Sequence, residues 1–308
     1  MKVGFIGLGT MGASIALNAI KGQNSLVVHD INRNAADPHL DIGANWADSP
    51  KAVAAQSDVV FTSLPGPAEV EAVALGENGL VKGFTPGSAY FDLSTNSPTV
   101  MRRLNAEMKE HGIEVLDAPV SGGPDGAKSG KMAIWVGGDK ATFDKYKPVL
   151  DSMGDAARYI GPIGAGSIAK LVHNLSGYIL GTALAETFSM GVKAGLEPDA
   201  LWEAVRQGAL GRRRTFDTMH RNYLPQDFDP PNFALQLARK DVALACELGR
   251  EYDVPMKLAH LTLAEMTEAI NRGWGHRDSR VAMMIQNERA GVDIKIDPAR
   301  LKEIIDQD

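Results

Sequence analysis

The sequence is short of the features that mark several classes of protein. Its 308 residues include one cysteine, Cys246, so no disulfide can form within the chain, and we expect a reducing compartment, the cytoplasm. Acidic residues outnumber basic ones by 38 to 32, and the formal charge of −6 argues against a general affinity for nucleic acid or anionic membranes. No apolar run is long enough to cross a bilayer. Glycine interrupts the N-terminal apolar run at once, so we expect no signal peptide.

Several catalytic signatures are missing as well. The seven histidines show no metal-ligand spacing and there is no cysteine pair, so we predict no catalytic zinc and no other metal site. The sequence has neither a G-x-S-x-G nucleophile elbow nor a Walker A motif. What is present is a chain of 44% hydrophobic residues, with ample core for two domains.

The first half of the chain alternates short apolar runs with stretches of helical spacing. This alternation predicts crossover connections and a mainly parallel sheet, the α/β arrangement of a Rossmann-like domain. The predicted strands are Val3–Ile6, Leu26–His29, Val59–Thr62, Tyr90–Leu93, Val115–Leu116 and Ala133–Val136. The predicted helices are Ala13–Ile20, Ser49–Ala55, Pro98–His111 and Lys140–Leu150.

The second half is helical by its apolar spacing. A long helix is predicted from about Ser167 to Ala194, after the glycine-rich run GPIGAG. We therefore predict two domains, residues 1–163 for dinucleotide binding and residues 164–308 as an all-α domain, joined by this long interdomain helix. The helical domain is expected to select the substrate and to form a homodimer or homotetramer.

Three glycines follow the first predicted strand as Gly7-x-Gly9-x-x-Gly12 and lead into a helix. Glycine at these positions allows a tight turn, a close approach to a pyrophosphate and close helix–strand packing, and the helix N-terminus offers free amide groups. The second strand ends at Asp30, which suits the ribose hydroxyls of NAD. The pattern predicts dinucleotide binding. NAD is the expected cofactor, with NADP as the alternative because Arg33 could pair with its additional phosphate.

Two further groups of residues have chemistry to offer. Lys170 and Asn174 are four residues apart and share one face of the long helix, where a partly desolvated lysine could move a proton and an amide could orient a substrate oxygen. From the spacing alone, a surface lysine and a mid-helix asparagine are the favoured interpretation. Ser121-Gly122-Gly123 combines a hydroxyl with bare backbone amides, which suits a carboxylate. The same tripeptide is also compatible with a plain β-turn.

The segment FIGLGTMGASIALN resembles the opening signature of the β-hydroxyacid dehydrogenase family, which includes 3-hydroxyisobutyrate dehydrogenase and tartronate semialdehyde reductase. Five more segments match the family in order. These are the cofactor loops SLPGP (Ser63–Pro67) and DLSTNSP (Asp92–Pro98), the substrate signature DAPVSGG (Asp117–Gly123), the catalytic signature GAGSIAKLVHN (Gly164–Asn174) and the late motif ARKDVAL (Ala238–Leu244).

The resemblance implies hydride transfer between a nicotinamide cofactor and a short 3-hydroxy acid or its semialdehyde. Lys170 would be the general acid/base with Asn174 as its partner, and the substrate carboxylate would lie on Ser121, Gly122 and Gly123. Asp241 would hold Lys240 or the start of its helix. The residues implied at the cofactor are Gly7, Leu8, Gly9, Thr10, Met11, Gly12, Asp30, Leu64, Pro65, Thr95 and Lys240.

The chain departs from the family at LGRRRTFD, which contains Arg212, Arg213 and Arg214. One of these arginines could pair with a second anion on the substrate, although a solvated loop is the simpler interpretation. A reductase of a doubly anionic semialdehyde, or one of the tartronate semialdehyde or sulfolactaldehyde type, is therefore an alternative function. An imine reductase is another, although those enzymes typically replace the catalytic lysine. A non-catalytic NAD(P)-binding scaffold is the third.

Overall fold

The apolar runs of the first half of the chain form the strands of one sheet. The computed structural model describes residues 1–21, 25–213 and 217–306, and the chain divides into two units, Met1–Val172 and His173–Asp308. The strands, all in the first unit, are β1 (Lys2–Ile6), β2 (Ser25–His29), β3 (Asn45–Trp46), β4 (Val59–Thr62), β5 (Ala89–Asp92), β6 (Glu114–Asp117), β7 (Val120–Ser121), β8 (Ala133–Gly137) and β9 (Ala156–Gly161).

The sheet has the order β3–β2–β1–β4–β5–β6–β8–β7, and β9 also pairs with β8. All pairs from β3 to β6 are parallel, whereas β8 runs antiparallel to β6 and β7. The chain winds from β1 to β3 in one direction and from β4 to β6 in the other, so the order reverses between β1 and β4. In open α/β sheets, ligands bind outside the carboxyl ends of the strands at such a reversal.

Helices cover both faces of this sheet, as the unbroken apolar character of its strands requires. On one face, Phe5, Phe61 and Phe91 pack with Ile15 and Tyr146, all buried. A separate buried cluster, which includes Ile6, Val60, Tyr90 and Met101, covers the other face. The helices of the first unit are α1 (Gly12–Lys21), α2 (Asp37–Leu40), α3 (Pro50–Ala54), α4 (Pro67–Leu75), α5 (Pro98–Lys109), α6 (Gly123–Ser129) and α7 (Lys140–Met153).

The second unit is helical. The long predicted helix is α8 (Ala165–Lys193), which runs from the first unit into the second. It is followed by α9 (Pro198–Gln207), α10 (Leu235–Glu251), α11 (Lys257–Asn271), α12 (Met284–Ala290) and α13 (Pro298–Asp306). Short 3₁₀ segments span Arg33–Ala36, Leu80–Lys82, Gly211–Arg213, Asp217–His220 and Ser279–Met283. Across the described ranges, no helix is both long and apolar enough to cross a membrane.

The predicted fold class is confirmed, a Rossmann-like domain with a mainly parallel sheet followed by a helical domain. All six predicted strands are present, but β3, β7 and β9 were not predicted. The strands β3 and β7 have two residues each, too few to show any period, and β9 carries arginine and tyrosine between its small residues. The predicted domain boundary after residue 163 stays a prediction.

Candidate active site

The three glycines of the turn after β1 each meet a different backbone requirement. Gly7 has a φ of 92°, a conformation that favours glycine. A Cβ at Gly12 would lie 1.9 Å from the carbonyl oxygen of Gly7, so α1 can begin this close to the turn only without a side chain. Gly9 is exposed and no atom lies within 4 Å of the position its Cβ would take. The turn therefore presents bare backbone beside the N-terminus of α1, as a pyrophosphate requires.

The remaining residues of the turn differ in exposure. Leu8 is buried, Met11 is half-buried and Thr10 is exposed. The backbone N–H of Leu8 donates to Asp30 Oδ2 at 2.6 Å, and Asn32 N–H donates to Asp30 Oδ1 at 2.7 Å. The Asp30 carboxylate, at the end of β2, thus ties that strand to the glycine turn.

Arg33 lies just beyond Asp30, on the surface of the first unit. Its Nη1 is 3.1 Å from Asp37 Oδ1, and its guanidinium carbon is 4.6 Å from the ring centroid of Trp46. The side chain is half exposed. Its charge is therefore already engaged by a carboxylate and an aromatic face.

A buried carboxylate organises the loop after β5. Asp92 accepts hydrogen bonds from Thr62 Oγ1 at 2.8 Å, from Ser94 N–H at 3.1 Å and from Asn96 Nδ2 at 2.8 Å. Its side chain is fully buried, and burial raises the pKa of the carboxyl above its usual range, although these bonds oppose that rise. Sequence reasoning gave Asp92 no role, although a polar residue directly after an apolar strand was a signal.

The same loop is joined to the one that follows β4. Ser94 Oγ accepts a hydrogen bond of 2.9 Å from the backbone N–H of Leu64. Leu64 and Thr95 are half-buried and Pro65 is exposed. Three predicted cofactor residues thus lie on two linked loops at the carboxyl ends of neighbouring parallel strands, β4 and β5.

The predicted carboxylate-binding turn connects β7 to α6. Gly122 and Gly123 have φ values of 153° and 63°, which other residues rarely adopt. A Cβ at Gly122 would lie 3.1 Å from the carbonyl oxygen of Lys131, whereas at Gly123 no atom lies within 4 Å. Ser121 is half-buried. The turn is therefore open at Gly123, where α6 begins.

Asp117, at the end of β6, holds the start of the helix that carries Lys170. Its Oδ1 accepts a hydrogen bond from Gly164 N–H at 2.7 Å and its Oδ2 accepts one from Ser167 N–H at 2.5 Å. Burial raises the pKa of Asp117 from 3.8 to about 6, although the bonds from Ser167 and Gly164 act in the opposite direction. Lys170, half-buried, follows within the next turn. Asp117 is the site residue that sequence reasoning missed most plainly, because it stood in a quoted motif without a role.

In the second unit, Asn174 belongs to a polar network with two residues of α10. Its Nδ2 donates to Asp241 Oδ2 at 2.7 Å, and Lys240 Nζ lies 2.9 Å from Asp241 Oδ1. Asp241 is buried, and His173 Nδ1 lies 3.0 Å from Asn174 Oδ1. Asp241 therefore contacts Lys240, as expected, and also Asn174, which sequence reasoning did not foresee. Because an ionised carboxylate can only accept hydrogen bonds, Asp241 faces the NH₂ group of the Asn174 amide and not its oxygen.

Comparisons with known proteins agree with these elements. Residues 2–161 match the family model of the NAD-binding domain of 6-phosphogluconate dehydrogenase, and residues 164–286 match the model for NADP-dependent 3-hydroxyisobutyrate dehydrogenase. The chain is 33% identical to 2-(hydroxymethyl)glutarate dehydrogenase of Eubacterium barkeri, over 96% of this chain and 97% of that protein. The chain belongs to the β-hydroxyacid dehydrogenase family.

Further members of the family confirm the enzyme class. The chain is 34% identical to 2-hydroxy-3-oxopropionate reductase of Escherichia coli, over 81% of this chain and 85% of that protein. The crystal structure of 3-hydroxyisobutyrate dehydrogenase from Salmonella typhimurium has a TM-score of 0.82 at 30% identity and covers 92% of this chain and 99% of that one. The chain is therefore an NAD(P)-dependent hydroxyacid dehydrogenase that binds a nicotinamide cofactor, and its exposed glycine turn fits the pyrophosphate of that group.

The arginine cluster falls partly outside the described residues. Arg212 is exposed and its Nε donates to the carbonyl oxygen of Gln207 at 2.9 Å. Arg214 and the side chain of Arg213 lie outside the part that the structure describes. The hypothesis that one of these three arginines pairs with a substrate anion stays a prediction. In the described ranges there is no group of three or more His, Cys, Asp or Glu residues that could hold a metal ion.

Proposed function

We propose that the enzyme interconverts a short 3-hydroxy acid, of the 3-hydroxyisobutyrate kind, and its semialdehyde, with Lys170 as the general acid/base. A nicotinamide cofactor, when bound, would supply the hydride acceptor for oxidation and the hydride donor for reduction. In oxidation Lys170 Nζ accepts the proton of the substrate hydroxyl as the aldehyde forms, and in reduction it gives that proton to the carbonyl oxygen. Asn174, on the same face of α8, orients the reacting oxygen.

The observation that carries this proposal is the anchoring of α8 by Asp117. The carboxylate accepts from the backbone amides of Gly164, just before α8, and Ser167, in its first turn, and Lys170 lies three residues after Ser167. The parallel pairing of β1, β4, β5 and β6 brings their carboxyl ends to one edge of the sheet. A helix held at that edge supports the proposal, because proton transfer needs a lysine in a fixed position.

The substrate carboxylate is proposed to bind at Ser121, Gly122 and Gly123. The open position at Gly123 and the glycine conformations leave backbone N–H groups accessible to an oxyanion. The partner is a small molecule, a hydroxy acid or its semialdehyde.

NAD is the proposed cofactor. Asp30 follows β2 with a carboxylate that would repel the additional phosphate of NADP. Arg33 is held by Asp37 and Trp46 rather than directed toward such a phosphate. Lys240, with its ammonium beside Asp241, is proposed to lie near the nicotinamide end.

A second candidate is a reductase of a doubly anionic semialdehyde. It is supported by the similarity to 2-(hydroxymethyl)glutarate dehydrogenase, whose named substrate carries two carboxylates. The imine-reductase alternative is disfavoured because Lys170 is present on the helix where such an enzyme would typically carry a different proton donor.

The test is the replacement of Lys170 by Met, with Lys193→Met as the matched control. Lys193 is exposed and ends the same helix. Loss of the proton acceptor is expected to lower kcat for 3-hydroxyisobutyrate oxidation by about 10²- to 10⁴-fold. The affinity for NADH, followed by fluorescence titration, and the activity of Lys193→Met are expected to stay unchanged. A Lys170→Met enzyme that kept its kcat within a few-fold would overturn the mechanism.

A further inference from the structure

The second unit contains a cavity of about 300 Å³, the lower end of the range for small-molecule sites. The described residues that line it all belong to that unit, and α8 supplies one side of it from His173 to Ala185. The eleven steps along the helix from Asn174 to Ala185 rise about 16 Å. A four-carbon acid such as 3-hydroxyisobutyrate bound beside Asn174 would leave most of this length empty, so the cavity has room for a longer substrate.

Two glycines of α8 keep the cavity open. Gly177 and Gly181 line it, and no atom lies within 4 Å of the Cβ position at either one. At Gly191, on the same helix, a Cβ would lie 2.6 Å from a methyl group of Leu201, so that glycine is needed for packing. Apart from proline, glycine is the poorest helix former. Gly177 and Gly181 have no packing reason of that kind, and what they provide is space.

Arg280 brings a cation to this cavity. Its Nη1 donates to Asn222 Oδ1 at 3.1 Å and lies 3.4 Å from Asp278 Oδ1, which fixes the guanidinium. Three of the five N–H donors of a guanidinium belong to Nη2 and Nε. The side chain is 29% exposed, so the charge is partly shielded from water but remains accessible.

The nearby carboxylates have other partners. Asp278 is fully buried and also accepts bonds from the backbone N–H groups of Asn232 and Phe233, at 3.0 and 3.3 Å. Glu265 lines the cavity, but both its oxygens accept from Arg289 Nη1, at 2.7 and 2.9 Å. Asp278 therefore divides its charge between Arg280 Nη1 and backbone donors, and Glu265 is paired with Arg289. The described contacts of the guanidinium are all made by Nη1, so Nη2 and Nε can donate to a ligand.

We propose that this cavity receives the distal part of the substrate and that Arg280 binds a second anionic group there, most simply a carboxylate. This inference rests on the proposed function, which places Asn174 at the reacting oxygen. It identifies the substrate class as 3-hydroxy acids that carry an anionic side chain. It also assigns to Arg280 the recognition of a second substrate anion, which the sequence suggested for one of Arg212, Arg213 and Arg214.

The test compares two substrates of one shape, 2-(hydroxymethyl)glutarate and the analogue whose distal carboxylate is a carboxamide. Because Arg280 and the distal carboxylate would form a hydrogen-bonded charge pair, the wild type is expected to prefer the dicarboxylate by about 10- to 100-fold in kcat/KM. Arg280→Met is expected to bring this ratio close to one, and Arg280→Lys to restore part of it. Arg277→Met is the matched control, because Arg277 pairs with Asp229 and does not line the cavity. The ratio of kcat/KM for the two substrates in Arg277→Met is expected to match that of the wild type.

Gly181→Leu tests the cavity independently of charge. Leucine favours the helix, and the open space at Gly181 accepts the side chain, so the melting temperature is expected not to fall. The variant is expected to lose at least tenfold in kcat/KM for 2-(hydroxymethyl)glutarate relative to 3-hydroxyisobutyrate. Wild-type enzyme that oxidises 3-hydroxyisobutyrate but treats the dicarboxylate and the amide alike would refute the role of Arg280 alone. Wild-type enzyme that oxidises neither acid would refute the proposed function and this inference with it.

Discussion

Replacing Asp117 by Asn tests the buried carboxylate that accepts hydrogen bonds from the start of α8. The pKa of Asp117 is raised from 3.8 to about 6, chiefly by burial. Between these two values the folded protein holds a proton that the unfolded chain has released. The folded state is therefore favoured by low pH, and this contribution is lost as the pH rises through about 6. The asparagine of the variant does not titrate, so the difference in unfolding free energy between the two proteins must depend on pH.

The size of the effect follows from the shift. From about pH 4.5 to the folded-state pKa of about 6 is about 1.5 units, and at about 1.36 kcal/mol per unit this is about 2 kcal/mol. Relative to Asp117→Asn, wild-type protein is expected to lose about 2 kcal/mol of unfolding free energy between about pH 4.5 and pH 7.5. The other carboxylates titrate in both proteins and cancel in the comparison.

The assay is urea denaturation of both proteins, followed by circular dichroism at several pH values across this range. Asp139→Asn is the control, because its stability difference from wild type is expected to change with pH in the opposite direction. The Asp139 carboxylate accepts bonds from Thr142, which lower its pKa, so its contribution is present at neutral pH and is lost as the pH falls. A wild-type to Asp117→Asn difference that is flat with pH, or that changes in the direction expected for Asp139, would contradict the argument.

The remaining predictions concern the cofactor turn and the amide of Asn174. Gly12→Ala, with its Cβ against the carbonyl oxygen of Gly7, is expected to lower the unfolding free energy by about 1–3 kcal/mol, measured by urea denaturation. Gly9→Ala is expected to change stability by no more than about 0.5 kcal/mol, yet to weaken NADH binding at least tenfold by fluorescence titration; equal NADH affinity would contradict the assigned role. Asp241→Ala is expected to lower kcat about tenfold or more, and Asp241→Asn, which can still accept the bond from Asn174, to lose less.

The sequence was sufficient for the fold because its strands are nearly continuous apolar runs. Every residue of β4 and β5 is buried, so these runs could be recognised without knowing their partners. The antiparallel insertion of β8 between β6 and β7 could not be foreseen. It depends on pairing between segments that are not neighbours in sequence, and a strand of two residues carries no period of its own.

The glycine turn was predictable because its residue type alone implies its backbone geometry. The role of Lys170 follows from the family resemblance and stays a prediction. The candidate site was not predictable where the role depends on a distant partner. Asp117 accepts bonds from residues 47 and 50 positions further along the chain, and Asp241 faces an amide 67 positions earlier. Arg280 was overlooked for the same reason, since only the folded second unit brings it to a cavity that Asn174 also lines.

Three carboxylates, Asp30, Asp92 and Asp117, close three strands of the sheet in the same manner. Each accepts at least one backbone N–H from a loop or helix start that the cofactor or substrate is proposed to use. A carboxylate can accept several hydrogen bonds at once, so one side chain can hold several backbone donors of a turn in place. The three carboxylates therefore fix the loops and the helix start at the edge of the sheet where the cofactor and the substrate are proposed to bind.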